Sequence, residues 1–78
     1  MTPQEKYTSA FVNALEVPAE DVPAMAYGQH AAWDSVGHMT LVAHLEEAFD
    51  IMMEMDDIID LSSFEKGKEI LRKYDVDI

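Results

Sequence analysis

Trp33-Asp34-Ser35-Val36-Gly37-His38-Met39-Thr40-Leu41-Val42 is the run whose reading decides the fold. It opens a helix. Asp34 or Ser35 can serve as N-cap, because either side chain can accept from the free backbone N–H groups of a first turn. Beyond the cap, His38, Val42, Leu45 and Phe49 recur at helical spacing, with Leu41 and Ala48 widening the stripe. Such a stripe faces a core. Ser35 then lies at the exposed mouth of a packed helix, beside unpaired N–H groups and the positive end of the helix dipole. A phosphate esterified to its hydroxyl would meet a setting already suited to an anion.

Upstream, Thr2-Pro3-Gln4-Glu5 carries the marks of another helix start: a threonine N-cap, proline at the first helical position and glutamate three residues on for a capping box. Tyr7, Phe11, Ala14 and Leu15, with Val12 beside them, give its apolar face, and Val17-Pro18 ends it. Between residues 16 and 33 the periodicity is lost, and Pro18, Pro23 and Gly28 punctuate the chain. So long a connection has to pack on itself or carry function. Val17, Val22, Met25, Tyr27 and Trp33 are its expected anchors, with a short helical turn near residues 19–22. Trp33 reads first as a core plug, with a role against a bound group as the alternative.

Downstream, residues 56–61 predict a short third helix with Ile58, Ile59 and Leu61 turned inward. Ser62-Ser63-Phe64-Glu65 reads as a second capping box opening a fourth helix, with Phe64, Gly67, Ile70, Leu71 and Tyr74 on its inner side. Lys66, Lys68, Arg72 and Lys73 are expected on its outside. Met52, Met53 and Met55 either fill gaps in a small core or line an adaptable pocket. The expected architecture is all-α: a small four-helix bundle of three main helices and one short one, with a long loop between the first two. At 78 residues the chain reads as one domain, 1–78, and as a monomer.

The net charge is −11, and its distribution is sharper than its total. Residues 16 to 65 contain no Lys or Arg but twelve Asp and Glu. That balance excludes nucleic acid as a natural partner and favours proteins with basic surfaces. There is no cysteine, so any thiol chemistry needs a prosthetic group. No apolar run approaches the roughly 20 residues of a membrane span, and no basic-plus-apolar leader is readable, so the expectation is a cytoplasmic protein. No hydrolytic triad is legible. His38 follows Ser35 by three residues, but no strand–turn–helix elbow surrounds the serine, and His38 lies on the core stripe as a packed histidine or a polar group near an inner cavity. His30, His38 and His44 lack the spacing of a helical metal pair, so no metal and no catalytic residue is assigned.

Asp34-Ser35-Val36, followed by Leu41-Val42, Leu45-Glu46-Glu47-Ala48-Phe49-Asp50 and Ser62-Ser63-Phe64, resembles the acyl carrier protein family, whose attachment motif is usually Asp-Ser-Leu. The resemblance spans nearly the whole chain. It implies that Ser35, flanked by Asp34, bears 4′-phosphopantetheine and that acyl groups ride on it as thioesters for fatty acid, specialised lipid or polyketide synthesis. The chain itself would be a carrier and no enzyme. The implied partners are a phosphopantetheinyl transferase and acyl-handling enzymes with basic docking surfaces. The second helix would dock them through Val36, Met39, Ala43, Glu46 and Glu47; the alternative is that Val36 and Met39 pack under the long loop. A carrier of aminoacyl or peptidyl groups, and an unmodified acidic helical interaction module, are the competing readings. Two positions depart from the family's pattern: Gly37 and Thr40 stand where acidic residues are common. A glycine there weakens the first turn by up to about 1 kcal/mol relative to alanine, and a dedicated partner set is implied.

Overall fold

The computed structural model describes all residues from Met1 to Ile78. Four α-helices form the bundle: α1 at Pro3–Leu15, α2 at Ser35–Phe49, α3 at Met55–Asp60 and α4 at Phe64–Arg72. A 3-10 helix at Ala19–Ala24 lies in the long connection, extending the turn that the sequence suggested. No strand is present; a single antiparallel bridge links Ala26 to Ser63. No helix is long and apolar enough to cross a membrane.

The α1 cap forms as its residues dictate. The Glu5 N–H donates to Thr2 Oγ1 at 3.1 Å and the Thr2 N–H donates to Glu5 Oε1 at 2.9 Å, so two orphan donors of the first turn are satisfied reciprocally. The Thr2 backbone bond draws the Glu5 carboxyl below its ordinary range. The fourth helix starts differently from expectation. Ser63, one residue later than the predicted cap, accepts from the Lys66 N–H at 3.0 Å. Lysine at the third helical position has nothing to return to the cap, so no second capping box forms.

The core is an aromatic chain closed by aliphatic residues. Tyr7 packs on Phe11 and Phe64, Phe11 meets Trp33 and Phe64 edge-on, and ring centroids in this group are 4.7 to 5.3 Å apart. Edge-to-face pairs at this separation add to the gain from burial alone. Leu41, Leu45, Leu61 and Leu71 seal the ends, each almost wholly buried. The Tyr7 hydroxyl donates to the Phe64 carbonyl oxygen at 2.6 Å. Burial pushes the Tyr7 phenol far above its ordinary pKa, with the Glu65 carboxylate adding to the shift. Gly67 lets α4 approach at this point, because a Cβ there would overlap the Tyr7 hydroxyl.

Of the expected loop anchors, Val17, Val22, Met25 and Trp33 are buried, but Tyr27 is half-exposed. The loop is instead tied by backbone bonds, Tyr27 N–H to Ser62 O at 2.8 Å and Phe64 N–H to Met25 O at 3.1 Å. The short helix α3 also departs from expectation. Ile59 points to solvent, and of the six residues only Asp57 is buried. Ile58 and Leu61, three positions apart, do turn to the core as expected, whereas Ile59, one position beyond Ile58, is carried to the solvent side, and Met53 adds an apolar anchor ahead of the helix. The methionine group divides: Met53 is buried, whereas Met52 and Met55 are exposed and line no inner pocket.

Candidate functional site

Ser35 is the first residue of α2 and is exposed. Asp34 is the N-cap, and its Oδ1 accepts from the Gly37 N–H at 2.8 Å. The His38 N–H closes the first turn on the Asp34 carbonyl at 2.8 Å. The N–H groups of Ser35 and Val36 and the Ser35 hydroxyl have no partner on the chain. A hydroxyl beside two free donors and the positive end of a 15-residue helix is well placed for a negatively charged substituent.

Gly37 explains one departure from the carrier pattern. A Cβ at this position would collide with the Ala32 carbonyl oxygen and press on Leu15. The backbone of the loop therefore lies directly against the first turn, and no acidic side chain can occupy that place without moving it. Thr40, at the second departure, is exposed, and its hydroxyl turns back to the Val36 carbonyl at 3.1 Å. Past the capping Asp34, the first turn of α2 thus carries no acidic side chain, and the helix's own acids lie further along, at Glu46 and Glu47.

On the solvent side, Val36 is 75% exposed and Met39 56%. Ala43 and Glu47 continue the same line at helical spacing, also exposed. Val36 and Met39 therefore do not pack under the loop. Glu46 does not join this face freely: its Oε2 accepts from the Met53 N–H at 2.8 Å and fixes the connection into α3. Two further exposed apolar side chains, Met55 and Ile59, stand on α3. Few acids are neutralised, since the ion pairs with lysine are Asp57 with Lys73 and Glu65 with Lys68, and the His30 ring lies 3.8 Å from the Asp21 carboxylate.

His38 is the hub behind Ser35. The Trp33 indole N–H donates to His38 Nδ1 at 2.9 Å. Indole nitrogen can only donate, so Nδ1 is unprotonated and Nε2 carries the proton of the neutral ring. Nε2–H then donates to the Ile58 carbonyl at 2.7 Å. The ring lies nearly parallel to that of Trp33, at 20° and 6.2 Å between centroids, as the bond between their edges requires, and takes Tyr27 edge-on at 5.2 Å. One side chain thereby joins the long loop, α2 and α3. Parting it from both partners would leave two polar groups unsatisfied, at about 1–3 kcal/mol each. Outside His38 lies an open crevice of about 260 Å³, lined also by Tyr27, Ile59, Leu61 and Ser62. The sequence singled out His38 as packed or near a cavity; Tyr27, Ile59 and Ser62 were not foreseen beside it, because only the loop's backbone pairing with residues 62–64 brings them there.

No group of three or more His, Cys, Asp or Glu side chains is arranged to hold a metal ion. No protein-family model matches this chain, and neither a curated protein nor a solved structure matches it.

Proposed function

We propose that the protein is a carrier bearing 4′-phosphopantetheine on Ser35 and presenting acyl groups to partner enzymes. The observation that carries this reading is the exposed, unpartnered hydroxyl at the first position of α2, beside the free N–H groups of Ser35 and Val36. These residues fit a phosphate ester: the site is open, the donors are unused, and the helix dipole favours negative charge. The resemblance of Asp34-Ser35-Val36 and the sequence after it to acyl carrier proteins supplies the rest of the reading.

When attached, the prosthetic group supplies the thiol that the cysteine-free chain lacks. The chain's own residues do the remaining work. Asp34 spends its carboxylate on the cap and holds the first turn rigid beneath the serine. Val36, Met39 and Ala43 offer apolar contacts, and Glu47 with the unpaired acids attracts a basic rim on the partner. The partners are a phosphopantetheinyl transferase, which takes the group from coenzyme A with Mg²⁺, and the acyl-handling enzymes.

Intact mass before and after treatment with coenzyme A, Mg²⁺ and a broad-specificity phosphopantetheinyl transferase tests the reading, with Ser35→Ala as control. The expected result is a gain of one phosphopantetheine that vanishes in the variant. The exposed apolar line on α2 would equally serve an unmodified acidic interaction module. A chain that gains no mass under conditions that load a control carrier belongs to that class.

A further inference from the structure

We propose that the group carried at Ser35 is a short polar acyl group, held outside the bundle in the crevice between the long loop and α3, with His38 barring the interior. The proposal rests on the carrier reading above and names the cargo class for the same site.

The bar is specific. His38 lies three residues beyond Ser35, close to the same side of α2. Both its ring nitrogens are engaged, one by Trp33 and one by Ile58. Behind it, Trp33 is wholly buried and packs edge-on against Phe11. An alkyl chain passing between α2 and α3 would have to part His38 from Ile58 and displace Trp33. The Trp33 N–H and the Ile58 carbonyl would then lose their partners at a half-buried position, a penalty that buried methylenes must first offset.

The crevice left outside suits a different occupant. Its volume, about 260 Å³, lies below the range of pockets that enclose drug-sized ligands. Ile59 and Leu61 give it apolar wall, while Tyr27 and Ser62 each bring a hydroxyl. The Tyr27 N–H bond to the Ser62 carbonyl keeps these two residues side by side. A hydroxyl or amino group on a short acyl chain finds donors and acceptors here, whereas a long alkyl chain finds too little wall to leave water.

The test loads the full chain from the coenzyme A thioesters of 3-hydroxybutyrate and of octanoate, using a broad-specificity transferase, and confirms each product by mass. Melting temperature, the rate of thioester cleavage by hydroxylamine and backbone amide shifts are then compared with the unacylated holo form. The expected result is no melting shift and no slowing of cleavage with octanoyl, and amide shifts at Tyr27 and Ser62 with 3-hydroxybutyryl. His38→Val should gain a melting increase and slower cleavage with octanoyl that the wild type lacks. An octanoyl group that raises the wild-type melting temperature or protects the thioester overturns the proposal, whether or not the variant folds. A folded His38→Val protein without an octanoyl effect removes His38 as the bar and overturns it equally. Failure of both thioesters to add mass overturns the carrier reading itself, and is seen before any melting is measured.

Discussion

The Tyr74 hydroxyl donates to Asp57 Oδ2 across 2.5 Å, and the Lys73 ammonium takes the other carboxylate oxygen. Tyr74 oxygen in turn accepts from the Glu54 N–H at 2.9 Å. One carboxylate, the only buried acid of the chain, thus ties α3 to the residues that follow α4.

This arrangement predicts how stability depends on pH. The hydrogen bonds from Lys73 and then Tyr74 hold the Asp57 carboxyl below its ordinary 3.8, against the opposing effect of burial. A depressed carboxyl contributes stability above its unfolded value and loses it as pH falls through the lower folded value. Lys73 and Tyr74 are both raised, chiefly by their bonds to Asp57, so their contribution is complete below the ordinary 10.5 and 10.0 and fades as pH rises beyond them. Urea titrations should therefore give a plateau at intermediate pH, with losses in strong acid and strong alkali. Asp57→Asn should flatten both limbs; limbs unchanged in the variant would place their origin elsewhere.

His38→Ala leaves the Trp33 N–H and the Ile58 carbonyl without partners, and should cost about 2 kcal/mol or more in unfolding free energy. Trp33 is the only tryptophan, so its emission reports the same event. A red shift in the native variant is expected, from water reaching the indole. An unchanged spectrum and urea midpoint would show that the histidine carries no such role.

Gly67→Ala places a methyl group against the Tyr7 hydroxyl and Leu61, in a ring pocket with no exposure, and should destabilise by about 1–3 kcal/mol despite alanine's better helix propensity. Tyr7→Phe alone removes the bond to the Phe64 carbonyl, at about 1 kcal/mol. Because it also removes the obstructing oxygen, the double variant should lose less than the two singles together. Strict additivity in thermal melts would mean that the hydroxyl is not the obstacle.

Moderate NaCl or Mg²⁺ should raise the melting temperature. Twelve acids and no Lys or Arg lie between residues 16 and 65, and few of those acids are paired, so self-repulsion opposes folding and screening relieves it. A fall on adding either salt would contradict this account.

Local chemistry made much of the fold legible. Thr2, Pro3 and Glu5 announce α1, Asp34 announces α2, and the stripes through Phe11 and Leu45 do face the core. What could not be read depends on partners distant in the chain. Asp57 looks like Asp56 and Asp60 until Lys73 and Tyr74 arrive beside it. Ser62 and Ser63 compete for one cap, and the bridge from Ala26 to Ser63 helps to decide between them. At the candidate site, the place of Ser35 at the exposed start of α2 was legible from the cap and the helical spacing, whereas the spacing left Val36 and Met39 open between exposure and packing under the loop, and their exposure follows from the structure. The diversion of Glu46 to the Met53 N–H was not, because nothing in a helix periodicity marks a side chain that reaches past the helix end. Gly37 seemed only to weaken a turn; its reason is the Ala32 carbonyl, which no local pattern announces.

The lone buried residue of α3 has one more consequence. A helix held by an apolar face loosens with heat, together with the core it belongs to. This one adds to its apolar anchors a carboxylate at Asp57 and the carbonyl that His38 meets, so its attachment responds to protons and ions as well as to temperature. Its amides should exchange with solvent by local opening well before those of α1 and α2, and should lose protection, measured against the intrinsic rate at each pH, in acid conditions that leave the aromatic core intact. The segment between the buried anchors Met53 and Leu61 is therefore expected to open and close on a schedule of its own while the rest of the molecule stays folded, and amide exchange reads this directly.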